Sequence, residues 1–203
     1  MKKVIAIVAG GDSSEHDVSL RSAAGIESWI DKEQYDVYIV EISRKEWVAH
    51  LPGGELVPVY RHNFSFRDKM GRDIKPDYAY ITIHGTPGED GILQGYFDLL
   101  QIPYSTSNVL VESLTFNKFV LNQFLRGFGV KVAESVLVRE GQLVDPQQIA
   151  DKVGLPCFIK PNAGGSSFGV THCKVLDDVL PAIEKAMKES PEVLIESELK
   201  GVE

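Results

Sequence analysis

Residues 158–169, Phe158-Ile159-Lys160-Pro161-Asn162-Ala163-Gly164-Gly165-Ser166-Ser167-Phe168-Gly169, constrain this chain more than any other stretch. They read as a strand, a lysine at its end, a Gly/Ser loop, and then a second strand from Val170 to Val175. Three glycines and two serines fall within positions 164–169, so the loop can adopt positive φ and bring its amides close to an anion. The serine hydroxyls add donors, and Lys160 adds a fixed positive charge. Two other phosphate devices are excluded by inspection: there is no G-x-x-x-x-G-K-[ST], and no G-x-G-x-x-G opening a helix after a strand. The order suggests a nucleoside triphosphate site. An ordinary glycine hairpin has the same composition, and these residues alone leave both readings open.

Charge narrows the class of protein that could carry such a loop. The chain has a net charge of -8, which argues against a general nucleic-acid binder and requires any phosphate site to be a local basic pocket. Its 203 residues suggest one or two domains, and 43% hydrophobic with 25% charged residues is ordinary for a globular protein with a real core. No apolar run approaches the roughly 20 residues of a membrane-spanning helix, and the N-terminus opens into a strand. The expectation is a cytoplasmic protein with neither a membrane nor a nucleic-acid partner. Cys157 and Cys173 lack C-x-x-C spacing, so buried reduced thiols are expected, with no disulfide and no metal ligands.

Along the chain, Val4–Ala9 is a continuous apolar, β-branched run suited to a parallel strand covered on both faces. Gly10 to Ser14 turns the chain. Ser14 with Asp17 resembles a capping box for a helix whose apolar face carries Val18, Ser22 and Ile26. Tyr35–Ile42 is a second strand beside the first. Short strands are expected between Trp47 and Tyr60, and a polar excursion from Asn63 to Asp77.

Tyr78–Ile83 is again a strand and runs into His84-Gly85-Thr86-Pro87-Gly88-Glu89-Asp90-Gly91. Open α/β sheets bind ligands at the carboxyl ends of such strands, which directs attention to His84. Glu89 and Asp90 have the simpler reading of capping the helix Ile92–Leu100. A domain boundary is expected near residue 105. A helix should follow from about Thr115 to Arg126, then a strand at Ser135–Arg139, a helix at Pro146–Val153, a helix at Leu176–Lys188 and a strand at Val193–Ser197.

The segments GGDSSEHDVSLRSA, HGTPGEDGILQGYFDLLQIPYSTS, Thr115-Phe116-Asn117-Lys118, KPNAGGSSFG and VLIESELKGVE, in this order and spacing, closely resemble the D-alanine:D-alanine ligases of the ATP-grasp superfamily. The resemblance covers essentially the whole chain. It implies an α/β fold: a Rossmann-like parallel-sheet N-terminal (pre-ATP-grasp) domain over 1–105, then a small α+β ATP-grasp subdomain over 106–203.

The resemblance also implies roles. Glu15 would hold the ammonium of the first D-alanine and His84 would orient that substrate. Ser166 would help position the second D-alanine and anchor closing loops, and Ser167 with its neighbours' amides would cover phosphates. Lys118 and Lys160 would grip ATP phosphates, although Lys118 read by itself is a surface lysine. Glu196, Ser197 and Leu199 would form the adenine-binding hinge, and Glu203 would bind ribose. Phe116-Asn117-Lys118 stands where Met-Asp-Lys is frequent, and Ala163-Gly164 replaces bulkier residues. Neither departure removes a group with an assigned role.

The implied reaction joins two D-alanines through an acyl phosphate for peptidoglycan precursors, using ATP and Mg²⁺, in an enzyme that commonly forms homodimers. Family members continue past the residue matching Glu203 into a domain that carries the Mg²⁺ ligands. The expectation is therefore a truncated chain that does not ligate by itself. D-alanine:D-lactate or D-alanine:D-serine ligation fits nearly as well, and a non-catalytic nucleotide-binding fragment is a further reading. A dinucleotide-dependent oxidoreductase lacks its glycine fingerprint and leaves KPNAGGSSFG unexplained.

Overall fold

A computed structural model describes residues 2–165 and 167–201. Contacts divide it into two compact units, 1–113 and 114–203.

The first unit is built on a sheet of order β4-β3-β2-β1-β7, from strands β1 (Lys3–Gly10), β2 (Tyr35–Ile42), β3 (Trp47–His50), β4 (Leu56–Pro58) and β7 (Tyr78–Ile81). The centre is parallel: β1 pairs with β2 from Lys3↔Tyr35 to Gly10↔Ile42 and with β7 from Ile5↔Tyr78 to Val8↔Ile81. The β3 and β4 edge is antiparallel. The polar excursion between Asn63 and Asp77 contains a small antiparallel pair, β5 (Phe66–Arg67) and β6 (Asp73–Ile74).

The apolar run in β1 works because the sheet is covered on both faces, with successive side chains pointing opposite ways. Ile7 and Ala9 pack with Ala23, Leu20 and Ile26 of helix α1 (His16–Trp29). Ala6 and Val8 join the larger core of Val40, Ile42, Phe64, Phe66, Leu93 and Phe97. Leu93 and Phe97 belong to helix α2 (Ile92–Leu100). Phe64, Tyr96 and Phe97 meet edge-to-face at 4.9–6.1 Å between centroids, a geometry aromatic pairs favour.

The second unit holds an antiparallel sheet of order β10-β9-β11-β8, from β8 (Ser135–Arg139), β9 (Cys157–Pro161), β10 (Thr171–Cys173) and β11 (Glu192–Ser197). One face, with Val138, Val193, Ile195, Ile159, Cys157 and Cys173, is buried under helices α5 (Pro146–Val153) and α6 (Val179–Met187). Asp145 caps α5 by accepting from the Gln147 amide at 2.9 Å, and Pro146 opens it. The opposite face carries Phe158, Lys160, Glu196 and His172, by strand alternation.

Three expectations change. The Thr115–Arg126 helix is two helices, α3 (Val109–Phe116) and α4 (Lys118–Gly127), broken where the Asn117 side chain caps α4 by accepting from the Val120 amide at 3.0 Å. The Ser14/Asp17 capping box does not form. Glu15 is the N-cap of α1, with no side-chain cap bond, and the neighbouring Ser13 hydroxyl is committed elsewhere. The second strand of the loop hairpin is short, Thr171–Cys173, and places the two cysteines directly opposite one another, both buried and free.

Candidate functional site

In the first unit the residues at issue stand on turns at the carboxyl ends of β1 and β7. Gly10 and Gly11 have φ of +93° and +92°, a region glycine enters without strain. A Cβ on Gly11 would lie 2.5 Å from Ile83 Cγ2, so the turn also needs the missing side chain. The Gly11 amide donates to Ile42 O (2.8 Å) and the Asp12 amide to Thr86 O (2.9 Å). The Ser13 hydroxyl donates to His84 O (2.7 Å) and accepts from the Glu15 amide (3.2 Å). Ser19 links the same loops, accepting from the Gly10 amide at 3.0 Å and donating to Thr82 O at 2.7 Å.

The Gly10–Ser14 turn and the His84–Thr86 loop are therefore one hydrogen-bonded body that fixes where Glu15 and His84 start. Glu15 is 5% exposed at the N-terminus of α1, where a carboxylate is favoured by the helix dipole. His84 lines a cavity of about 510 Å³ with Thr82, Glu89, Thr106 and Glu112. Glu89 does not cap α2: its carboxylate accepts from the Gly85 amide at 2.7 Å. Asp90 accepts from the Ile92 amide at 3.1 Å, as a helix-start carboxylate does. Burial raises the Glu112 carboxyl above its ordinary range; the Ser107 amide bonded to it opposes this, and the Glu89 charge adds to the rise.

In the second unit Lys118, Lys160, Ser167 and Glu196 line one cavity of about 390 Å³, walled by Phe158 and Phe168. Lys160 on β9 donates to the carboxylate of Glu196 on β11. The register explains the encounter: Lys160 pairs with Leu194 and Phe158 with Glu196, so all four side chains stand on the same face of neighbouring strands. The loop backbone carries positive φ at Gly164 (+142°), Ser167 (+60°) and Gly169 (+72°).

Lys118 is the first residue of α4, so its ammonium and the helix's positive end lie together, an arrangement suited to an anion. Its Nζ donates to Gly164 O at 2.7 Å, joining the helix to the Gly/Ser loop. Ser197 turns away from the cavity lining and pins β11 to the chain before β8. Its hydroxyl accepts from the Glu134 amide (3.1 Å), and its own amide donates to Glu134 O (2.9 Å). Leu199 is 69% exposed. Ser166 and Glu203 lie outside the described residues.

Asn162 is the organiser that sequence reasoning missed. It is 1% exposed, and its side chain accepts from the Phe119 amide (2.9 Å) while donating to Asn117 Oδ1 (3.0 Å) and Glu192 Oε2 (2.8 Å). Its carbonyl accepts from the Lys118 amide at 3.1 Å. An asparagine directly after the Lys-Pro strand end was the available signal, since an amide there can satisfy donors and acceptors of two elements at once.

The sequence matches the family descriptions "D-ala D-ala ligase N-terminus" over residues 4–107 and "D-ala D-ala ligase C-terminus" over 124–203. It is 61% identical over all 203 residues to the D-alanine–D-alanine ligase of Phocaeicola vulgatus and 56% identical to that of Bacteroides fragilis. The chain spans 62% of the length of each of these relatives. Among solved structures, D-alanyl-alanine synthetase A of Vibrio cholerae superposes with a TM-score of 0.84 at 27% identity, over 98% of this chain and 60% of the other. The VanG D-Ala:D-Ser ligase of Enterococcus faecalis gives 0.81 at 31% identity, over 99% and 64%.

Proposed function

The chain belongs to the D-alanine–D-alanine ligase family, and from that premise we propose that its second unit binds ATP and its first unit binds D-alanine. The observation that carries the reading is the convergence of Lys118, Lys160 and the Gly/Ser loop on one cavity. Two ammonium groups and loop amides match a polyphosphate, and the aromatic walls match a base. Bound ATP would supply the phosphoryl group that activates a substrate carboxylate.

The chain's own residues bind, orient and shield. Lys118 and Lys160 balance phosphate charge. Ser167 and its neighbours' amides close over it, with Ser166 assigned to the second D-alanine and to anchoring the loop. Glu196 and Leu199 take the adenine side of the hinge, which Ser197 anchors through its bonds to Glu134, and Glu203 takes ribose. In the first unit, Glu15 holds the ammonium of the first D-alanine and His84 orients that substrate. Excluding water is part of the task, because an activated carboxylate is open to hydrolysis.

Magnesium, which family membership implies, is assigned no ligands on this chain; among the described residues no three His, Cys, Asp or Glu side chains stand together as a metal group. The roles assigned to these residues are accordingly those of binding and positioning. Ligation itself is proposed at the level of the family, for peptidoglycan precursors in the cytoplasm, with a homodimer as the working assembly. Among the described residues no helix is long and apolar enough to cross a membrane. D-alanine is the preferred second substrate, because relatives at 56–61% identity are named for it, whereas the D-Ala:D-Ser ligase is 31% identical.

The test is calorimetric titration of this chain with ATP, beside its Lys160→Ala variant. The expected result is at least roughly tenfold weaker binding in the variant, the scale of one lost charge-assisted contact. Unchanged affinity would show that the loop has been misassigned.

A further inference from the structure

His172 has no part in the reading above, yet it sits next to the cavity. On β10 it pairs directly with Phe158 of β9, and Phe158 pairs with Glu196 of β11, giving one cross-strand row of side chains on the cavity face of the sheet. The imidazole lies against the Phe158 ring with centroids 4.6 Å apart and planes 14° from parallel. Its Nε2 meets the carboxylate of Glu198 at 3.0 Å. Glu198 stands two residues past Glu196, just after β11 ends.

Three features make this more than a surface pair. The His172 and Glu198 side chains are 35% and 28% exposed, so the contact is partly screened from water. β10 is the strand that leaves the Gly/Ser loop, while Glu198 lies on the segment leaving β11; one imidazole therefore joins both to the wall between them. Phe158 has only the χ angles of a ring on a strand, and a flat partner stacked against one face restricts how it can turn.

We infer that His172 and Glu198 are positioning residues for the nucleotide cavity: Glu198 holds the imidazole, and the imidazole holds Phe158 as a fixed wall for the base. This rests on the ATP reading of the cavity. Neither side chain lines the cavity itself, so their effect passes through Phe158. The consequence is selective. A ligand that uses the wall, such as the β,γ-imido analogue of ATP, depends on the pair. Inorganic triphosphate, which has no base, depends on Lys118, Lys160 and the loop instead.

The experiment titrates both probes into this chain and into His172→Ala, His172→Tyr, Glu198→Ala and Lys160→Ala. His172→Ala should weaken the ATP analogue about three- to tenfold, the value of a well-placed aromatic pair, and leave triphosphate binding unchanged. Glu198→Ala should shift the analogue in the same direction by less. His172→Tyr retains a stacking ring and a hydroxyl donor, and should restore analogue binding. Equal weakening of both probes by His172→Ala, or no effect on either, overturns the positioning role while Lys160→Ala still reports on the cavity. Failure of the unaltered chain to bind either probe overturns the ATP reading and this inference together.

Discussion

The two units hold their candidate residues by opposite means. In the first, Glu15 and His84 stand on turns tied loop to loop: the Asp12 amide and the hydroxyls of Ser13 and Ser19 stitch the β1 and β7 loops together, and the Gly11 amide ties the turn to the end of β2, above an aromatic core. In the second, Lys160, Phe158 and Glu196 stand on the face of a sheet, and Lys118 is brought to them by the side chain and carbonyl of Asn162. A site made from turns depends on the packing beneath it, whereas a site made from a sheet face depends on register and on a few buried polar contacts.

That contrast predicts where each unit breaks. Phe97→Ala removes a fully buried ring from the centre of the first core and should cost about 3–5 kcal/mol, seen as a lower urea midpoint. A cost under about 1 kcal/mol, the scale of an isosteric core swap, would mean that the aromatic platform is not what supports the turns. Asn162→Ala removes one buried partner each from the Phe119 amide, Asn117 and Glu192 and should cost about 1–3 kcal/mol. ATP affinity should fall with it, because the start of α4 loses the side-chain contact to the Phe119 amide and keeps only the backbone bond from the Lys118 amide to residue 162 and the Nζ contact to Gly164 O. Normal affinity in that variant would separate α4 from the cavity.

The smallest effect concerns pH. Burial pushes the Cys157 thiol up to about 11, with Cys173 opposite it adding to the rise. An unfolded thiol titrates near 8.5, so the folded state's preference for the neutral form contributes fully below that pH. The contribution is lost as pH rises from there toward the folded value. The thermal midpoint should decline between these limits, and Cys157→Ala should flatten the decline; an identical slope in the variant would assign the loss to other groups.

Much of this was legible in the sequence for physical reasons. Tyr35–Ile42, Ile92–Leu100 and Pro146–Val153 begin and end where periodicity and punctuation place them, because each has its own apolar pattern and stop signal. The Gly/Ser loop between two strands was equally plain. What stayed hidden depends on partners distant in sequence. Asn117 reads as mid-helix until Asn162, forty-five residues on, engages its cap oxygen. Cys157 and Cys173 become neighbours only through the register of β9 and β10, and Lys160 meets Glu196 only because β11 lies beside β9. Strand order is a property of the whole sheet, and no local pattern carries it.

The Lys160–Glu196 contact also bears on the range over which this cavity attracts. A cation with its counter-ion beside it presents a dipole, whose field falls off faster than that of a bare charge, on a chain whose net charge is -8. Polyphosphates approaching through solution are therefore steered little by this lysine. On the proposed ATP reading they would gain from it only on arrival, when a phosphate oxygen touches Nζ, so the pair would favour slow capture of the ligand that fits over quick capture of any anion that passes.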